Sequence, residues 1–134
     1  MHYYLFLDDV RVPKNVTWVN LPLVNWTIVR NYDQFVEMIK NNGLPEYIAY
    51  DHDLSNEQYN SAMYSENPED YNKLYSTFTE KTGYDCAKWL VDHCIETDQT
   101  IPEYSVHSMN PIGKANIISY IEGYKRSIKN IESQ

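Results

Sequence analysis

The run YYLFL at residues 3 to 7 is apolar at every position, is only five residues long and stops at Asp8 and Asp9. A strand wet on one face would alternate, whereas a short unbroken run suits a strand covered on both faces, as in parallel sheets. WTIVR at 26 to 30, EYIAY at 46 to 50 and EYSVH at 103 to 107 supply three further strand candidates.

Between these runs the period changes. Tyr32, Phe35, Val36, Met38 and Ile39 recur at helical spacing after Asn31 and stop at Asn42-Gly43, a C-terminal cap. Residues 82 to 96, TGYDCAKWLVDHCIE, set Ala87, Leu90, Val91 and Cys94 on one helical face. Asn110-Pro111 opens a last helix with Asn as N-cap and Pro at the first position, and Ile117, Ile118, Ile121 and Ile128 mark its apolar side. Strands alternating with helices predict an α/β fold with a mostly parallel sheet flanked by helices. Val16 to Val19 is expected to add a brief extended piece. Residues 55–79 lack an apolar period and read as a long insert after the third strand, a lid, a binding loop or a disordered segment, with Pro68 to Tyr75 as a candidate helical stretch. At 134 residues the chain is expected to form one domain over 1–134.

Nineteen acidic against eleven basic side chains give a net charge of -8, which argues against duplex nucleic acid as a partner. The start MHYYLFLDDV has no basic n-region and its apolar run is cut by Asp8, so neither a secretory signal nor a membrane partner is expected, and a cytoplasmic location follows. Cys86 and Cys94 are eight apart in one predicted helix, about 12 Å by helical rise, and read as packed thiols rather than a disulfide.

Three predicted strands end in polar clusters: Asp8-Asp9, then Asp51-His52-Asp53, then His107-Ser108. Ligands of parallel sheets sit beyond the carboxyl ends of the strands, so all three clusters are expected at one edge. Close carboxylates repel by roughly 1 to 4 kcal/mol per pair, and a cation resolves that repulsion. Asp8, Asp9, Asp51 and Asp53 are therefore candidate metal ligands, and oxygen donors suit Mg²⁺, Mn²⁺ or Ca²⁺ better than a structural zinc. One acidic pair alone would read as a solvated strand end; its repetition after the third strand shifts the balance. His107 lies just ahead of a helix start whose free N–H groups can hold a phosphate, with Ser108 and Asn110 in the same turn. Arg11, three residues after Asp8, is placed to meet either the carboxylates or a ligand phosphate. Both His52 and His107 are candidates for proton transfer, and each also fits a hydrogen-bonded histidine with no reactive role. His93 falls beside an apolar helical stripe and reads as structural, and KTGYD at 81 to 85 lacks the rest of a phosphate-binding P-loop. His52-Asp53 is also the dipeptide of the helical HD phosphohydrolases, but here it follows a strand.

Taken in order, LFLDDVRVP, YIAYDHDL, KTGYDCAKWL and VHSMNPIG resemble the cyclic-phosphate processing receiver domain family, known mainly from small phage and bacterial proteins. The resemblance covers most of the chain and implies a receiver-like, flavodoxin-like fold. Response-regulator receivers place two acids after strand one, an aspartate after strand three, a Ser or Thr after strand four and a lysine after strand five. By position Asp8 and Asp9 resemble the metal-binding acids, Asp51 the phospho-acceptor and Ser108 the hydroxyl. No fifth strand ending in lysine is found, and His52, Asp53 and His107 are additional, which argues against ordinary phosphorelay signalling. The resemblance implies hydrolysis or handling of a cyclic phosphate, with Mg²⁺ or Mn²⁺ on Asp8, Asp9 and Asp51. His107 or His52 would move a proton, and Asp53 would orient a histidine or complete the metal shell. The implied partner is a small phosphorylated ligand such as a cyclic nucleotide, met in the host cytoplasm if the protein is phage-encoded. The alternative is a receiver-like module without turnover that sequesters a nucleotide signal or contacts a protein through the Tyr-rich insert.

Overall fold

The structure, a computed structural model, describes residues 2–54 and 81–132. Strands β1 (Tyr4–Leu7), β2 (Trp26–Val29), β3 (Tyr47–Tyr50) and β4 (Glu103–Val106) form one sheet in the order β2-β1-β3-β4, every neighbouring pair parallel. This is the start of the flavodoxin-like order. Among the described residues the α-helices are α1 (Tyr32–Asn42), α2 (Gly83–Thr97) and α3 (Pro111–Glu132). The expected insert at 55–79 and the candidate helix Pro68 to Tyr75 lie outside the described residues.

Alternation along each strand sorts the side chains onto two faces. Leu5, Leu7, Ile48, Tyr50 and Val106 belong to the larger core together with Phe35 and Ile39 of α1, Leu90 and Val91 of α2 and Ile117 and Ile121 of α3. Each such side chain, fully buried, contributes about 1.5 to 3 kcal/mol. Phe6 and Ala49 face the other way and are covered by chain from the β1–β2 connection: Val16, Val19 and Leu21. Val16 to Val19 forms no strand. A single 3₁₀ turn, Pro13–Asn15, precedes it, closed by the Val12 N–H donating to Asn15 Oδ1 at 2.9 Å. The valines anchor a loop there without entering a ladder.

The helix starts are fixed locally as their sequences require. Asn31 accepts from the Gln34 N–H at 2.9 Å, and Thr82 and Asp85 form a reciprocal capping box. Asn110 Oδ1 accepts from the Gly113 N–H at 3.0 Å. Gly43 ends α1 with φ of +83°, a conformation that a side chain would resist. Among the described residues no helix is long and apolar enough to cross a membrane. Cys86 and Cys94 are buried free thiols on the core face of α2. Burial pushes the Cys86 thiol well up and Cys94 to about 11, the opposite of what a nucleophile needs.

Candidate functional site

Register alone brings three polar residues together. Leu7 pairs with Tyr50, and Tyr50 with Val106, at the last rung of the sheet. The ladder then runs one residue further, with the Asp51 N–H donating to Leu7 O at 2.9 Å and the His107 N–H to Tyr50 O at 2.9 Å. Asp8, Asp51 and His107 are therefore neighbours on adjacent strands, on the face opposite Leu7, Tyr50 and Val106. Their donor atoms all lie within 4.8 Å of one another and all three residues are buried.

The cluster is held from several sides. His107 Nε2 lies 3.0 Å from Asp8 Oδ2, while Asp8 Oδ1 accepts from the N–H groups of Val10 at 3.0 Å and Arg11 at 2.8 Å. Burial pushes the Asp8 carboxyl up, but the His107 contact and the two backbone donors outweigh it and hold the group below the ordinary carboxylate range. Asp51 Oδ1 accepts from the His52 N–H at 2.8 Å. Arg11 Nη1 stands 3.7 Å from Asp8 Oδ2 and 4.0 Å from Asp51 Oδ2, so one guanidinium serves both acids. The His107 ring stacks on Phe6, with centroids 4.7 Å apart and the ring planes nearly parallel.

Asp9 is not one of the three clustered donors. Its Oδ1 is nonetheless buried with no hydrogen-bond partner among the described residues, and burial, then the neighbouring Asp8 charge, pushes its carboxyl up. An orphaned carboxylate oxygen beside two buried aspartates suits a site built for a divalent cation. Asp8 and Asp51 offer the oxygens that Mg²⁺ or Mn²⁺ prefers. His107 fits less well as a direct ligand. A hydrogen bond to Asp8 requires the proton on Nε2, and moving it to Nδ1 would bury an N–H with no acceptor, since Nδ1 has no partner among the described residues. That orphan costs about 1 to 3 kcal/mol.

Asp53 and His52 lie in a different arrangement. His52 Nδ1 is 2.9 Å from Asp53 Oδ1, and Asn110 Nδ2 lies 3.3 Å from each Asp53 oxygen. Asn110 also caps α3, and its own N–H donates to Ser108 Oγ at 3.1 Å. Glycines allow this closeness. A Cβ on Gly113 would fall 2.4 Å from His52 Cγ, and one on Gly83 only 1.7 Å from Asp51 O. His52, Asp53, Ser108 and Asn110 thus tie the β3 end to the start of α3, while Gly83 seats α2 on the Asp51-His52 backbone through a 2.8 Å bond to His52 O.

Two residues without any signal in the sequence support the site. Arg30, at the end of β2, donates through Nη1 to Asp8 O at 3.0 Å and Arg11 O at 2.6 Å, fixing the loop that carries both. Trp18 donates its indole N–H to His107 O at 2.8 Å, and the Arg11 guanidinium lies 5.3 Å over its ring. A cavity of about 350 Å³ between β2 and α1 is lined by Val29, Gln34, Met38 and Asn42, none of which belongs to the cluster.

The family model described as cyclic-phosphate processing receiver domain matches residues 3–123. No curated protein and no solved structure matches the chain.

Proposed function

The chain belongs to the cyclic-phosphate processing receiver domain family, and we propose that it hydrolyses a cyclic phosphate, such as that of a nucleotide, with the help of Mg²⁺ or Mn²⁺. The observation that carries this reading is the meeting of buried Asp8, Asp51 and His107 at the carboxyl edge of the sheet, with Arg11 over the two acids.

Asp8 and Asp51 would hold the ion, with Asp9 beside them. When bound, a divalent ion supplies Lewis-acid polarisation of a phosphoryl oxygen and a more acidic water. Arg11 would meet the negative phosphoryl oxygens, a task for which its planar fork is suited. His107 is the hydrogen-bond donor to the leaving oxygen in this reading, because its Nε2 lies in the cluster and Asp8 holds the proton on that atom. A water oxygen bonds to phosphorus, one ring P–O bond breaks, and the leaving oxygen, met by the Nε2–H, takes the proton that the water loses. His52, through its N–H on Asp51 and its ring on Asp53, keeps Asp51 in position.

The test is incubation of the intact protein with Mg²⁺ or Mn²⁺ and a panel of cyclic mono- and dinucleotides and cyclic-phosphate RNA ends. A linear phosphate monoester or diester should appear, and the rate should fall at least about a hundredfold in Asp51→Ala. Tight binding with no product in either protein would remove hydrolysis and leave sequestration of the ligand.

A further inference from the structure

The acid cluster is bordered by an exposed apolar rim. Val10 is 67 %, Trp18 40 % and Met109 63 % exposed, on two loops that flank the site. Arg11 joins them: its guanidinium lies over the Trp18 ring and its Nη2 is 3.9 Å from Met109 Sδ. Solvated loops gain nothing from showing an indole and two apolar side chains to water beside buried carboxylates. Moreover, Trp18 is anchored by one edge to His107 O, so the ring plane is set by a residue of the cluster itself.

We propose that Trp18 is the platform for a nucleobase, which makes the ligand a nucleoside-bearing cyclic phosphate rather than a cyclic phosphate of a sugar or polyol. This inference rests on the cyclic-phosphate reading above. Arg11 spans the two halves of such a ligand. Its Nη1 reaches toward Asp8 and Asp51, where the phosphoryl group would lie, and its guanidinium carbon lies 5.3 Å from the centre of the indole. Every base has a flat π face, so stacking on Trp18 selects for a base without selecting among bases. A base-free cyclic phosphate has no group to set against the indole and leaves the rim wet.

The test compares two probes on the intact protein with Mn²⁺: cyclic adenosine monophosphate, and the cyclic phosphate of methyl riboside, which keeps the sugar and phosphate but lacks the base. The readout is the ratio of their affinities, or of kcat/KM where turnover occurs. That ratio cancels any damage a variant does to the phosphate half of the site. Wild-type protein should favour the base-bearing probe by roughly tenfold or more. Trp18→Ala should bring the ratio to near one, and Trp18→Phe, which keeps a ring but loses the indole N–H, should keep most of it. Equal handling of both probes by the wild type, or an unchanged preference in Trp18→Ala, overturns the platform and leaves the cyclic-phosphate reading standing. Failure of the wild type to bind either probe removes that reading, and the platform with it.

Discussion

Two histidine–carboxylate pairs lie close together in this molecule, and they are nearly alike by contact. His107 meets Asp8 at 3.0 Å and His52 meets Asp53 at 2.9 Å, with all four residues buried. Their surroundings differ. Asp8 spends its second oxygen on backbone N–H groups of its own loop and shares Arg11 with Asp51, so its pair opens onto concentrated charge. Asp53 receives Asn110, the cap of α3, and the His52 ring lies against Gly113 of that helix. One pair belongs to the cluster that could hold a cation, and the other joins two elements. A contact distance therefore does not separate chemistry from construction; the third and fourth neighbours do.

The largest expected effect breaks the constructional pair from outside. Gly113→Ala drives a methyl group into the buried His52 ring and should cost about 3 kcal/mol in urea unfolding. Gly123→Ala, in the same helix with nothing among the described residues within 4 Å of the added carbon, should be neutral or gain up to about 1 kcal/mol. Equal costs at the two glycines would show that His52 is not held as described.

Replacing each histidine by glutamine sharpens the contrast. His52→Gln should lose about 2 kcal/mol of stability while Mn²⁺ affinity, followed by electron paramagnetic resonance, stays within about tenfold of wild type. His107→Gln should lower turnover roughly a hundredfold or more and still bind Mn²⁺. A hundredfold loss of Mn²⁺ affinity in His107→Gln would make that ring a direct ligand. Smaller still, Asn110→Ala removes the α3 cap and should cost about 1 kcal/mol by thermal melting.

The smallest effect lies far from both pairs. Tyr3 donates its hydroxyl to Gly43 O at 2.5 Å, and burial pushes its pKa up to about 12. Because the folded value lies above the unfolded one near 10, its contribution is complete below pH 10 and is lost as pH rises toward 12. At pH 11 the loss should be about 1 kcal/mol, and Tyr3→Phe should remove that slope in denaturation curves.

Much of this was legible in the residues. Short apolar runs and helical spacing located the four strands and three α-helices of the described residues, because those periods are set by the backbone of each segment alone. Asp8, Asp51 and His107 stood out as strand-end groups for the same reason. The division among the acids was not legible: Asp53 looks as much like a ligand as Asp51 does, and only the packing of α3 turns it toward Asn110. Arg30 read as the last residue of a strand and Trp18 as one aromatic among many, since their partners lie 22 and 89 residues away in sequence.

By itself, then, the sequence determined the elements, their order and the polar groups at their ends, all properties of neighbours along the chain. Which of those groups meet was decided by tertiary structure. Parallel pairing set Leu7, Tyr50 and Val106 on one rung, and a slip of one residue in any strand would have sent Asp8, Asp51 or His107 to the opposite face.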